Sequence, residues 1–199
     1  IFDIIYVKTD GINSNNRRSQ ETAVQTIDKA VELTENGKII VLDGTYTISN
    51  TLSTKIASNI IIEGQGEVII DGNSKQIIEN RANLTLVNLK FTHGSGYRLI
   101  LNYHDASNIV TMSLNNVEFY DNDASIIVNQ GSGGLCINNS KFYDNRLGST
   151  LGAVGIDKKA TIENTIFRNN TCEMTSSISI GGIGTYKTLV DIINCTFEN

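Results

Sequence analysis

Proline and tryptophan are both missing from the 199 residues of this chain. Its many reversals must therefore be made by glycine, asparagine and aspartate. Cysteine is scarce: Cys136, Cys172 and Cys195 are an odd number without metal-type spacing. Packing as small hydrophobes is the expectation for them, since a bridge would need Cα atoms within about 7 Å. Long apolar runs are lacking too. Stretches such as Ile60-Ile61-Ile62 are far too short to cross a bilayer, so no membrane insertion is expected within this segment. Nor is there a basic run: 16 basic residues stand against 21 acidic ones, and with no phosphate track nucleic acid is not an expected partner. No signal-like segment opens the chain, whose first residue is Ile1, so it reads as a mature or excised piece of a longer protein.

What is present is repetition. The pattern Asn-x-x-Phe-x-x-Asn stands at Asn116/Phe119/Asn122, Asn139/Phe142/Asn145 and Asn164/Phe167/Asn170. A weaker copy at Asn88/Phe91 has Gly94 in the last place, and a fifth, Asn194/Phe197, stops before its second Asn. The leading Asn residues follow one another at 28, 23, 25 and 30 residues, a spacing that marks a stacked repeat architecture. The length suits a single domain, residues 1–199, able to bury roughly 70% of its unfolded surface.

Aligned on the leading Asn, the repeats show where their side chains point. The position two before it holds Leu86, Leu114, Ile137, Ile162 and Ile192, and the position four before it Leu84, Met112, Leu135, Ala160 and Val190. One after it come Leu89, Val117, Ser140, Thr165 and Cys195, and three after it always Phe. The inward parity thus breaks at the Asn. A strand with a side-chain period of two cannot change phase without a bend, so the chain turns a corner at Asn88, Asn116, Asn139, Asn164 and Asn194. Asn suits a corner because it tolerates the left-handed backbone region. Coils stacked about 4.8 Å apart would align these amides in a ladder and stack Phe91, Phe119, Phe142, Phe167 and Phe197 inside. The expected fold is all-β, a parallel β-helix.

The first 55 residues differ. Ser19 is placed to cap a helix over about 19–36, with Ala23, Ile27, Ala30 and Val31 at helical spacing and Gly37 ending it. That helix is expected to cap the apolar N-terminal end of the solenoid, with residues 56–199 forming stacked coils. The last copy breaks off mid-corner, which suggests an end coil without a cap and a parent protein that continues.

The Phe-x-x-Asn elements, together with Gly133-Gly134-Leu135, Gly181-Gly182-Ile183 and the degenerate Gly152-Ala153-Val154, resemble repeats of the chlamydial polymorphic outer-membrane proteins. The opening, Thr26-Ile27-Asp28-Lys29-Ala30 through Asp43-Gly44-Thr45-Tyr46, looks like the start of many pectate-lyase-like right-handed β-helices. With the Asn-rich, Pro-free composition, the chain is most similar to adhesin-like surface proteins of methanogenic archaea. The resemblance implies a right-handed parallel β-helix in the outer part of an exported, surface-attached protein used for cell adhesion. Its anchor would lie outside this sequence.

Candidate functional residues lie just after each Phe. Tyr120, Tyr143 and Arg168 share one repeat position and by alternation point outward. A column of rings ending in a guanidinium can stack on sugars or anchor a protein, although Tyr is equally good filler on a β-surface. Asp121 and Asp144 share the next position and would lie about 5 Å apart, close enough to hold a cation or raise one pKa. Asp beside Asn is also ordinary corner chemistry, so this is only a weak metal candidate, calcium is not indicated, and no cofactor is expected. Asp123 and Arg146 read as a solvated pair, and His93 and His104 as loop residues. Four sequons begin at Asn83, Asn138, Asn169 and Asn194; Asn194, as a corner residue, should be a poor acceptor.

No complete lyase or glycosidase set is present, so catalysis is not expected. The leading reading is a monomeric, extracellular adhesin-like module that binds a glycan or a surface protein of another cell. Two others stand beside it: a polysaccharide lyase or hydrolase with residues in loops 94–107 or 171–188, and a stalk spacer without a ligand.

Overall fold

The computed structural model describes residues 3–103, 107–148, 152–172, 182–185 and 188–198, and over these the chain winds into a right-handed parallel β-helix. Its strands form one sheet of eleven and one of eight, paired in parallel throughout. The long first sheet runs from Asp3–Val7 through Asn36–Thr47, Asn59–Asp71, Asn83–Thr92 and Thr111–Tyr120. In later coils each of these strands is split in two by its corner, as in Ala160–Glu163 and Ile166–Arg168. Among the described residues no helix is long and apolar enough to cross a membrane.

The repeat alignment is realised residue for residue. Leu84, Met112, Leu135, Ala160 and Val190 pair in register, as do Leu86, Leu114, Ile137, Ile162 and Ile192. Each leading Asn takes the left-handed region, with φ of 54° at Asn88, 55° at Asn116, 50° at Asn139, 49° at Asn164 and 50° at Asn194. Inside the corner the Phe rings stack at centroid spacings of 5.0, 4.9, 4.9 and 4.8 Å from Phe91 to Phe197. That spacing is the strand separation itself, so every added coil extends the ring stack without adjustment.

The leading-Asn ladder differs in detail from the expectation. Asn116 Nδ2 donates to Asn88 Oδ1 at 2.9 Å and Asn194 to Asn164 at 2.7 Å, but Asn164 donates to Asn138 rather than Asn139. Asn139 keeps the bent backbone while its neighbour supplies the amide. All these bonds lie at the surface.

The second corner is also divided between two residues. From the sequence, the closing Asn145 of the repeat is expected to make that bend, but the left-handed residue is the one before it. His93, Asp121, Asp144 and Asn169 carry φ of 52°, 51°, 54° and 51°. The following Asn122, Asn145 and Asn170 then turn their amides inward, where they are almost fully buried. Earlier coils make the first corner differently. Gly64 lies where any Cβ would come within 2.2 Å of the Asn88 carbonyl oxygen, and the register slips there between Glu63 and Ile69.

The helix is shorter than expected. Only Ile27–Leu33 is helical, capped by Thr26, whose hydroxyl accepts from the Lys29 amide. Ser19 instead sits in a turn closed by the Thr22 amide on its carbonyl, at 3.2 Å. Val24 pairs with Val7 as a further rung of the first sheet, and Asn13 Oδ1 takes the amides of Gln25 and Thr26. Those amides are therefore unavailable to a longer helix. Asn36 and Gly37 already belong to a strand. The short helix still buries Ile27, Ala30 and Val31 against the first coils. The other end is more open: the inner-column residues Ile192 and Phe197 are 48% and 47% exposed. Cys172 and Cys195 pack against the core as small hydrophobes, whereas Cys136 points outward.

Candidate binding face

Beyond the first corner the strand presents two outward columns that flank the buried Phe stack. One contains Lys90, Glu118, Lys141 and Ile166. The other contains Asp71, Thr92, which is covered, and then Tyr120, Tyr143, Arg168 and Glu198. The first is a ladder of alternating charge. Glu67 accepts from Lys90 at 2.7 Å and Glu118 from Lys141 at 3.1 Å. Pairing with Glu67 raises the pKa of Lys90, against a smaller opposing effect of desolvation.

The second column is assembled as its sequence position indicates. Tyr120 and Tyr143 are stacked with centroids 5.4 Å apart and planes 9° from parallel, and the Arg168 guanidinium lies 5.6 Å from the Tyr143 ring. The Tyr143 hydroxyl donates to Glu118 Oε2 at 3.1 Å, tying the two columns together. Burial, with Glu118 beside it, pushes the Tyr143 phenol up to about 12. Burial raises that of Tyr120 as well.

This geometry changes the mode of contact. Tyr143 gives one ring face to Tyr120 and the other to Arg168, so neither face stays open for a sugar to stack on. What the surface presents is ring edges, hydroxyls and a guanidinium. Contacts made there would be polar and directional.

Asp121 and Asp144 are exposed corner residues with left-handed backbone, a conformation that itself favours Asp. Around them lie backbone links between coils, the His93 amide to the Asp121 carbonyl at 3.2 Å and the Asp144 amide to that of Arg168 at 3.1 Å. Among the described residues no three His, Cys, Asp or Glu side chains converge as metal ligands would. Asp123 and Arg146 form a two-pronged pair, Nε to Oδ1 at 3.1 Å and Nη2 to Oδ2, which is well exposed and worth about 0–1 kcal/mol. His93 Nδ1 lies 2.9 Å from Asp71 Oδ2, a contact that the sequence reading did not foresee. His104 falls outside the described residues. Asn194, the sequon residue expected to be held in a corner, is held there.

Three features went unread in the sequence. The link from Glu118 to Tyr143 was visible only as a repeat position that alternates Lys90, Glu118, Lys141. On the same flank, Glu67, Lys90, Glu118, Asn88 and Asn116 line an open groove of about 330 Å³. The third lies where strands of the eight-stranded sheet end: Thr54, Asn80, Asn102 and Asn129 form a fully internal ladder with bonds of 2.8, 2.7 and 2.7 Å.

No protein-family model matches the chain, and no curated protein matches it in sequence. Its likeness to solved structures is one of fold. A rhamnogalacturonan lyase superposes with a TM-score of 0.60 at 12% identity over 99% of this chain. A pectate lyase does so at 0.55 and 17% identity over 96%. The chain spans 62% of the length of each of them. At such identities the likeness shows the pectate-lyase-like β-helix and no shared chemistry.

Proposed function

We propose that this chain is a glycan-binding β-helix module of an adhesin-like surface protein, one that attaches its bearer to the polysaccharide coat of another cell. The observation that carries this reading is the Tyr120–Tyr143–Arg168 column, stacked and tied to Glu118 before any ligand arrives. Preorganised hydroxyls and a guanidinium lose little entropy on binding, which favours a hydrogen-bonding ligand such as a sugar chain. The expected partner is extracellular, and no cofactor is needed for binding of this kind. A glycan array and a cell-binding assay test the reading with the wild-type chain and a Tyr120→Ala/Tyr143→Ala variant. Saturable binding that falls at least tenfold in the variant supports it. Wild-type binding to no glycan and no cell sinks it, and would favour a stalk spacer.

A second reading is a polysaccharide lyase. Both structural neighbours bear that name, and the Asp71–His93 pair sits at the head of the Tyr column, with His93 on the Asp121 corner. Release of unsaturated sugars from uronate polymers, abolished by His93→Ala, would establish it over binding alone.

A further inference from the structure

Three of the four cations that flank the buried Phe stack and its second corner are already neutralised. Lys90 pairs with Glu67 at 2.7 Å, Lys141 with Glu118 at 3.1 Å, and Arg146 with Asp123. Arg168 is the exception. It is exposed, and among the described residues no carboxylate lies within ion-pair distance of it. Its register neighbour on the open side is Glu198, yet the guanidinium leans the other way, toward the Tyr143 ring.

An arginine lying against an aromatic ring keeps its in-plane N–H groups available. Those donors match the two oxygens of a carboxylate, a bidentate fit that lysine cannot make. Tyr143 is in turn fixed by Tyr120 on its other face and by Glu118 at its hydroxyl. The guanidinium thus has a defined place before a ligand arrives. Its surroundings limit which anions it accepts. Asp121 and Asp144 stand on the adjacent corner, Glu118 is beside Tyr143, and the whole chain carries a formal net charge of −5. A polymer with an acid on every sugar would bring most of its charges against these groups. A mostly neutral chain with occasional acidic sugars would bring one carboxylate to Arg168 and only hydroxyls elsewhere.

We infer that Arg168 is the carboxylate anchor of this face, and that its ligand is a neutral polysaccharide carrying sparse uronic-acid-type sugars. This rests on the glycan-binding reading above. The probes are a glucuronic-acid-substituted xylan, the same polymer with its carboxyls methyl-esterified, and polygalacturonate, each titrated at low and moderate salt. The expected result is that the free-acid xylan binds at least tenfold tighter than its ester. Arg168→Gln should abolish that preference, and Arg168→Lys should restore only part of it. Polygalacturonate should bind more weakly than the substituted xylan. Equal binding of acid and ester by the wild type overturns the inference while leaving the glycan-binding reading intact. So does a preference that survives in a folded Arg168→Gln. Binding to none of the three polymers overturns this inference, and the wider glycan array then decides the reading beneath it.

Discussion

Asn122 Nδ2 donates to Asn145 Oδ1 at 3.0 Å, and the same oxygen also accepts the Asn122 backbone amide at 3.1 Å. Asn145 repeats both contacts on Asn170, at 2.9 and 3.2 Å, and its Nδ2 also reaches the Phe119 carbonyl at 3.0 Å. Each amide in this buried row therefore satisfies side-chain and backbone groups of neighbouring coils at once. That is why a polar residue can occupy a position almost without solvent, next to stacked phenylalanines.

Removing the middle rung should cost more than one hydrogen bond. Asn145→Ala leaves the Asn122 amide donor and the Phe119 carbonyl short of partners inside the protein. The expected loss is about 2–4 kcal/mol, read as a lower urea midpoint. By contrast Asn116→Ala, which breaks a surface bond to Asn88 and puts alanine at a φ of 55°, should cost about 1–2 kcal/mol. Equal costs for the two would show that the inner row contributes no more than the outer one.

The ring stack predicts a gradient along the axis. Phe119 is fully buried with a ring on either side, so Phe119→Ala should destabilise by about 3–5 kcal/mol. Phe197 has a ring on one side and is 47% exposed, so its removal should cost about 1–2 kcal/mol. Chemical denaturation of the two variants checks the ratio.

Much of this was legible in the repeat because its signal is local and periodic. The parity break at each Asn gave the inner columns, the Phe stack and the outward Tyr120, Tyr143 and Arg168 directly. The ladder of Asn80, Asn102 and Asn129 was not legible. Its rungs are 22 and 27 residues apart in segments that lack the Phe marker. Only the fold brings them together. The overlong helix has another cause: Ala23 fits the apolar period of a helix, but the next residue, Val24, is taken by a parallel rung against Val7. The same competition hid the role of Asp144. Sequence shows Asp followed by Asn, and either can bend left-handed; the structure gives the bend to Asp144 because Asn145 is needed inside.

Backbone conformation sets what the first corner tolerates. Asn139 has φ of 50°, and the amide link from the next coil goes to Asn138 instead. Asn139→Gly should therefore lie within about 1 kcal/mol of wild type, since glycine enters this region freely. Asn139→Val puts a β-branched residue there and should cost about 1–3 kcal/mol. Thermal unfolding of the pair separates backbone strain from lost side-chain contacts. Indistinguishable values would assign the conserved cost to the side chain.

Alkaline pH should weaken the fold through two phenols. Tyr46 is buried and its hydroxyl donates to the Leu42 carbonyl at 2.7 Å; burial, then the nearby Asp43 and Asp10, pushes its pKa up to about 12. Tyr143 is pushed up to about 12 by burial and by Glu118. In the unfolded chain both phenols ionise near 10. Since the folded values are the higher ones, the stability these protons contribute is complete below about pH 10 and is lost as pH rises toward 12. Urea midpoints measured across that interval should fall steadily. A Tyr46→Phe/Tyr143→Phe variant keeps both rings in place and removes both protons, so its midpoint should decline less steeply. It should also start about 1–2 kcal/mol lower at neutral pH, because two hydrogen bonds are gone. A variant that declines with the same slope as wild type would place the alkaline sensitivity on other groups.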